Sequence, residues 1–484
     1  MQSHVGDDMF NLKQQLSNVV TSKVGHAKVK VGNRSVVMKD DQAFVRPRHP
    51  KRVEFGPVTA TTVQFGGSQQ ITEFRIYEQH DFEQCDMFIV RGTISTLAGK
   101  LGTPFTAAAT PANATITDEV LCEPSPLWIE RIELLANGST TVLQTIYGEQ
   151  LWTALATLPK EKLQTLLTNN LMYMGDDFKV NNSLHRDAFN NNVTWRHKSG
   201  AYTRPFIIPI VGGLLEKLRL RAICGDTIVR VYWNSSIAGV TVAIAHGALP
   251  TFTPTTVASG KFSVASLQLV LESEEVLQRD KLAYESMLRS GSLLVKFVEP
   301  MVQSFTQVIN PSTEYGFQLT GIYGDIAFLQ IYIRALNTAK SALRPIGPED
   351  NGEAGVLSAT LPFVDAQDGA DSAFIQLTDA SNKQLITPNG FKVWDLRYGQ
   401  YNRALLNTFC NSIPMYWLPF CESPAAAIHE GAIDGYVNFD ATEYIRIRPS
   451  AAWNAGTSGT TFQVQIVAWK IKHAQADKGQ VKIL

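Results

Sequence analysis

Histidines, cysteines and paired acids are where chemistry would begin, and this chain of 484 residues arranges none of them in a working pattern. No GxxxxGKS/T phosphate loop, GxGxxG fingerprint, GxSxG elbow or HExxH zinc helix occurs. His429-Glu430 lacks the second histidine that a zinc helix needs. Asp176-Asp177 offers carboxylates to a hard cation, but inside an Asn- and Asp-rich stretch the pair reads more simply as an exposed acidic loop. Trp195-Arg196-His197 has a ring to stack on a base and a guanidinium to meet phosphate. Isolated as it is, the triplet reads as a packing or interface element. The cysteines Cys85, Cys122, Cys224, Cys410 and Cys421 are odd in number and widely spaced, without a C-x-x-C pair. That spacing argues against a disulfide framework or structural zinc, and for core filler in a reducing compartment. The expectation is no catalytic residue, no metal site and no cofactor.

Length and composition set the frame that any such residues would need. The chain is long for one core, and two domains of about 200 residues each are the natural division. Charged residues make up 18% and aromatics 10%, with 24 phenylalanines, which suits a folded and largely buried polypeptide. Forty-three basic residues against 44 acidic ones leave the body without a general attraction for nucleic acid or anionic membrane. The opening MQSHVGDDMF lacks the layout of a secretion signal. The apolar run from Phe206 to Leu215 is broken by Pro209 and two glycines, far short of a membrane span. Without a secretion signal, the N-x-S/T sequons at Asn113, Asn137 and Asn234 read as chance occurrences.

Local patterns predict mostly strands. Residues 7 to 25 form the exception, an amphipathic helix with Met9, Leu12, Leu16, Val19 and Val20 on one stripe. A basic stretch follows, with Lys28, Lys30, Arg34, Lys39, Arg46, Arg48, Lys51 and Arg52, and reads as an arm outside the core. From about Phe55, short runs of Val, Ile, Thr, Phe and Tyr alternate with Gly, Pro, Asn and Ser clusters. Trp128 to Leu134 reads as a half-buried strand, Asn137-Gly138 as a two-residue hairpin turn, and Val142 to Tyr147 as the return. A helical passage from Gly148 places Leu151, Leu155, Leu158 and Leu163 on one side. Residues 169–192 and 344–371 read as long loops, and Thr251 to Thr256 as the linker. Beyond it, Leu267, Leu269 and Leu271 mark a new strand, followed by a short helix through Gln278 to Met287. Two faint echoes hint at duplication and leave it open: Tyr147-Gly148-Glu149 with Tyr398-Gly399-Gln400, and Arg204-Pro205-Phe206 with Leu418-Pro419-Phe420.

Five of these stretches, in this order and near this spacing, resemble the double jelly-roll major capsid proteins of nucleocytoplasmic large DNA viruses, virophages and Polinton-like viruses. They are Gln70-Ile71-Thr72 with Phe74 to Tyr77; Ile129 to Leu135 with the Tyr147-Gly148-Glu149 helix start; and Pro205-Phe206 through Tyr232. Leu267 to Tyr284 follows, and then Leu418-Pro419-Phe420 with Gly435 to Asp440 and Tyr444 to Ile447. Asp440 departs from the family, which commonly has Ser there, and the segment after Phe206 lacks the family's usual aromatic run. In physical terms Gly435 suits a tight turn, Asn438 can bond nearby backbone, and Phe439 buries one strand face.

The resemblance implies an all-β fold: two tandem eight-stranded antiparallel jelly rolls, with short helices in loops and an N-terminal arm. The expected boundaries are 1–54 for helix and arm, 55–250 for the first roll, 251–260 for the linker, 261–472 for the second roll and 473–484 for a tail. It implies a non-enzymatic coat protein of the virion, built as homotrimers of pseudo-hexagonal outline that tile an icosahedral shell. Penton and minor capsid proteins are the implied further partners, with no small-molecule substrate. The basic arm (Lys28, Lys30, Arg34, Arg46, Arg48, Lys51, Arg52) would lie on the inner side, touching neighbours, a minor protein, an internal membrane or the genome. The helix at 7–25 has little positive charge on its polar face, which favours packing over membrane insertion. Two rivals stand beside this reading. A carbohydrate-binding β-sandwich predicts an exposed aromatic face, and a hydrolase on a β scaffold predicts a carboxylate pair in a cleft.

Overall fold

The computed structural model describes residues 26–31, 34–39, 49–59, 62–65, 69–77, 85–96, 119–122, 125–136, 138, 141–154, 157–158, 203–210, 212, 214, 217, 223–235, 241–246, 250–252, 262–275, 292–310, 313–335, 374–385, 391–392, 415–448 and 461–484. The helices expected over 7–25 and Gln278 to Met287, the loops at 169–192 and 344–371, Asp176-Asp177 and Trp195-Arg196-His197 lie outside these residues.

Period-two burial builds the strands. Along β5, for example, Thr72, Phe74 and Ile76 point inward while Ile71, Glu73 and Arg75 point out. The first half contains β1 (His26–Val31), β2 (Arg34–Lys39), β3 (His49–Phe55), β4 (Val63–Gln64), β5 (Ile71–Ile76), β6 (Cys85–Thr96), β7 (Glu119–Cys122), β8 (Ile129–Ala136), β9 (Thr141–Tyr147), β10 (Thr203–Ile210), β11 (Thr227–Trp233), β12 (Thr241–His246), β13 (Pro250–Phe252) and β14 (Phe262–Glu275). The second half contains β15 (Ser292–Val308), β16 (Tyr315–Gln318), β17 (Tyr323–Ala335), β18 (Phe374–Thr378), β19 (Phe391–Lys392), β20 (Met415–Pro419), β21 (Val437–Asp440), β22 (Tyr444–Arg448), β23 (Thr461–Asp477) and β24 (Gln480–Ile483). The described helices are short, at Gly148–Ala154 and Pro424–His429, with a 3-10 turn at Ser125–Trp128.

Pairing reveals a duplication. In the first half, sheet β3-β14-β6-β10 packs on sheet β5-β11-β8-β9. In the second, β15-β23-β17-β20 packs on β16-β22-β18-β19. Counting the eight main strands of each half in chain order, both halves read 1-8-3-6 in one sheet and 2-7-4-5 in the other. All of these pairings are antiparallel, and the order is that of the jelly roll. Both tandem rolls of the expected fold are therefore present. The remaining strands are accessory: β1 pairs only with β2, β7, β12 and β13 form a small separate sheet, and β4, β21 and β24 extend the main ones.

Four details correct the expectations. Strand β14, with buried Leu267, Leu269 and Leu271, closes the first roll instead of opening the second, so the change of roll falls between Glu275 and Ser292. The supposed linker begins in a strand, since Pro250–Phe252 pairs with β12. The arm does not run to residue 54, because β3 is already a sheet strand, with Lys51 opposite Ser273 and Arg52 opposite Glu272. The two-residue turn at Asn137-Gly138 is a four-residue connection, because the last pair of the hairpin is Ala136 with Thr141.

Each roll has its own core. In the first, Phe74, Ile132 and Val231 meet Phe206, Ile208 and Leu269, with Trp128 edge-on to Phe206 at 5.0 Å. Trp233 satisfies its indole N–H by donating to Thr72 Oγ1 at 2.8 Å. In the second, Leu329, Ile331, Leu418 and Ile466 meet Phe317, Leu377, Ile445 and Ile447. Behind that sheet Phe328 stacks against Trp417 at 5.4 Å and Trp469 at 5.3 Å, and Trp469 donates to Gln330 Oε1 at 2.9 Å.

The two cores share one pair of strands. β15 and β23 are each 17 residues long and pair along their entire length. One face of β15 sends Leu293, Val295 and Phe297 to the first core, then Met301 and Phe305 to the second. The residues expected as a tail continue this device. Ala474, Ala476 and Val481 are buried in the first core, with Ile483 packed against it.

Candidate functional site

Among the described residues the side-chain geometry that stands out lies in the seam between the rolls and on their outward faces. Glu299 sits between the two apolar groups of β15, where it forms an ion pair with Lys472 and accepts from the Thr145 N–H at 3.0 Å. Gln144, buried on β9, donates toward Gly212 O at 3.4 Å and Val298 O at 3.5 Å and accepts from the Leu214 N–H. These groups close the backbone bonds that the junction would otherwise leave dry and unpaired. The Pro424–His429 helix supplies the second contact. Ser423 caps it by accepting from the Ala426 N–H at 3.2 Å, and Pro424 sits in its first turn. Its Ile428 lies so close to Gly212 (φ +74°) that a side chain there would collide. Lys217 donates to Ala427 O at 3.3 Å across the same seam.

The outward faces of the two 2-7-4-5 sheets differ. On the first roll Arg230 bonds Glu73 at 2.7 Å, Arg131 bonds Glu133 at 3.0 Å, and Tyr232 donates to Glu133 at 2.9 Å. Arg131 also lies 3.8 Å over the Tyr232 ring. Partial burial works against the charge of Arg131, but its bond and attraction to Glu133 outweigh it and raise its pKa above the ordinary value. On the second roll Arg446 reaches Glu314 at 2.8 Å and also Asn382, while its Nε and that of Arg448 are buried without a hydrogen-bond partner, as is the Nε of Arg75 on the first. Thr378 Oγ1, Gln384 Oε1 and Glu443 Oε2 around that sheet are likewise buried and unpaired.

Phe74, Phe206 and Phe439 are buried in cores, with Phe420 half-buried 6.0 Å from Phe439. Gln70 accepts the Trp233 N–H through its backbone oxygen and the Gln64 N–H through its side chain. Ile71 and Tyr147 are exposed. Pro205 pairs opposite Thr93, and Pro419 opposite Phe328. Gly148 begins its helix where a Cβ would strike Ile129 O. Gly435 is needed for the same reason, against Phe420 O, and not for a left-handed angle as expected. Asn438 donates to Asp325 Oδ1 at 2.7 Å, a side-chain bond between paired strands instead of the expected backbone contact. Of the basic residues, Lys28 and Lys30 stand on β1, Arg34 on β2, and Lys51 and Arg52 on β3. Arg46 and Arg48 lie outside the described residues. The seam groups escaped the sequence reading, although Glu299 left a signal as the polar break in the Leu293-Val295-Phe297-Met301 alternation.

Chemistry of other kinds finds little footing. Among the described residues no group of three or more potential metal ligands occurs. Cys421 is buried, which pushes its thiol up to about 12 and keeps it protonated, whereas Cys224 is exposed and departs from the core-filler expectation. Asp434 accepts from the Glu422 N–H at 2.8 Å, and that bond helps lower its pKa, the opposite of what a general acid needs. His429 meets Thr157 Oγ1 at 3.0 Å; the hydroxyl donates to Ala154 O at 2.6 Å, so the imidazole serves as the donor. Exposed tyrosines 77, 147, 323 and 436 stand at or beside the ends of β5, β9, β17 and β21.

No protein-family model matches this chain, and no curated protein matches it. Solved structures do. The Faustovirus major capsid protein superposes with a TM-score of 0.55 at 11% identity, covering 98% of this chain and 98% of that one. PBCV-1 VP54, fitted into a reconstruction of the virophage Sputnik, gives 0.54 at 10% identity, covering 91% of this chain and 98% of that one. A quasi-atomic model of the PBCV-1 capsid gives 0.52 at 11% identity, with 90% and 97% covered. Superposition along nearly the whole chain, joined to the repeated strand order, gives this protein the double jelly-roll fold of those viral capsid proteins.

Proposed function

We propose that this protein is a major capsid protein: three copies form a capsomer of near-hexagonal outline, and capsomers tile an icosahedral shell. The observation that carries this reading is the repeated 1-8-3-6 and 2-7-4-5 strand order in two rolls joined by one strand pair. Two like rolls per chain turn threefold symmetry into a six-sided outline. The seam holds their relative angle, so each copy enters the ring as one block. Near-balanced charge, 43 basic against 44 acidic residues, removes long-range repulsion between closely packed copies. Contacts within such a trimer fall on the order of 2,000–5,000 Å², as in obligate oligomers. Penton and minor capsid proteins complete the shell, and the basic residues from Lys28 to Arg52 face inward, toward neighbouring subunits, an internal membrane or the genome. No catalytic step belongs to this role.

Light scattering coupled to size exclusion tests it: a trimer is expected, with hexagonal sheets or shells by electron microscopy at higher concentration. A monomer at every concentration would overturn the proposal.

A further inference from the structure

The first roll is made of residues up to Glu275, yet part of its core is supplied by residues far along the chain. β23 and β24 form a hairpin in which Asp477 pairs with Gln480 around Lys478-Gly479. Both turn residues have positive φ, +50° and +82°, the two-residue turn whose twist matches the strands. The register lines up Leu293, Ala476 and Val481 in one row and Val295, Ala474 and Ile483 in the next. All six pack on the first roll's core, three of them nearly free of solvent: Ala474 0%, Ala476 1% and Val481 1% exposed. The turn itself is seated, since the Cys224 N–H donates to Gly479 O at 2.7 Å and a side chain at position 479 would collide with Cys224 Sγ. The eight strands of the first roll therefore leave one end of their core to be covered by the second roll's ribbon.

We propose that the β23–β24 hairpin is a latch: its docking completes the first roll and clamps the two rolls in a single orientation. The first roll, although made first, reaches native packing only after the strands of the second roll exist and have paired. A chain that stops before Ala474 presents an open apolar core and cannot adopt the rigid two-roll shape. The inference concerns one chain by itself and does not depend on the shell reading.

Hydrogen exchange by mass spectrometry on the entire chain carrying Val481→Asp tests it. Amides of β5, β8 and β11 are expected to exchange faster by about tenfold or more, while those of β16, β18 and β22 keep wild-type protection. An increase confined to residues 474–484 would overturn the proposal, and so would an equal increase across both rolls. Should Val481→Asp fail to fold, Val481→Ala gives the same readout with a milder change, and the same outcomes decide.

Discussion

The two rolls share a strand order but treat the outward face of the 2-7-4-5 sheet differently. In the first roll Arg131, Arg230, Glu73, Glu133 and Tyr232 pair with one another. In the second, Arg446 bonds Glu314 and Asn382, and the Nε atoms of Arg446 and Arg448 are buried without a hydrogen-bond partner. The two rolls thus share what the core demands, the alternation and the pairing order, and differ on their outer faces. Core positions are held by burial on both sides of a sheet, and a wrong residue there costs several kcal/mol. Outward positions are free to change until something docks on them.

The sharpest test of the shared core compares Phe74→Ala in the first roll with Phe439→Ala in the second. Both are fully packed, and each substitution is expected to lower stability by about 3–5 kcal/mol in a denaturant melt. Because the first core borrows from β15, β23 and β24 while the second takes nothing from the first roll's own strands, Phe439→Ala is expected to loosen both rolls and Phe74→Ala the first alone; an equal loss of amide protection in both rolls of Phe74→Ala would contradict this. A smaller effect compares the two glycines that press against carbonyl oxygens. Gly148→Ala and Gly435→Ala are each expected to lose about 1–3 kcal/mol through overpacking, and an unchanged melting temperature would contradict the close approaches described.

The divergent faces give an asymmetric pair. Arg230→Met takes from Glu73 its 2.7 Å partner, while Glu133 keeps Arg131 and Tyr232, and is expected to cost about 1–2 kcal/mol, a figure reduced for partial solvent screening. Arg448→Met removes a guanidinium whose Nε is buried without a partner and is expected to stay within about 0.5 kcal/mol of wild type. Equal losses in chemical denaturation would erase the distinction between the faces. The smallest expected change is a gain. Ala441 holds φ at +69° in the turn where Asp440 accepts from the Thr442 N–H at 3.0 Å and donates its own N–H to Glu443. Ala441→Gly relieves that angle and is expected to add about 0.5–1 kcal/mol, visible as a modest rise in melting temperature.

Much of the architecture was legible from local pattern. The resemblance marked the strand at Ile71 to Ile76, alternation the one at Tyr444 to Ile447, and Gly148 a helix start. Phe74, Phe206 and Phe439 lie in the cores, and Gly435 serves through lack of room instead of through its angle. The boundary between rolls was misplaced because Leu267 to Leu271 reads the same whether it opens one roll or closes another. The tail was misread for a related reason: Ala474, Ala476 and Val481 are too small and too few to announce a buried strand.

An alternating code written over hundreds of residues specifies sheets, and spaced landmarks specify which kind of sandwich those sheets will make. Which strand finds which partner is a long-range choice, made by complementary apolar faces that no short window contains. Only in three dimensions did one face of β15 prove to serve two cores, with Glu299 at the point where it passes from one to the other. The physical cause is strand length. Seventeen paired residues reach beyond a single sandwich, and the surplus must bury its apolar side against whatever lies next, which here is the other roll.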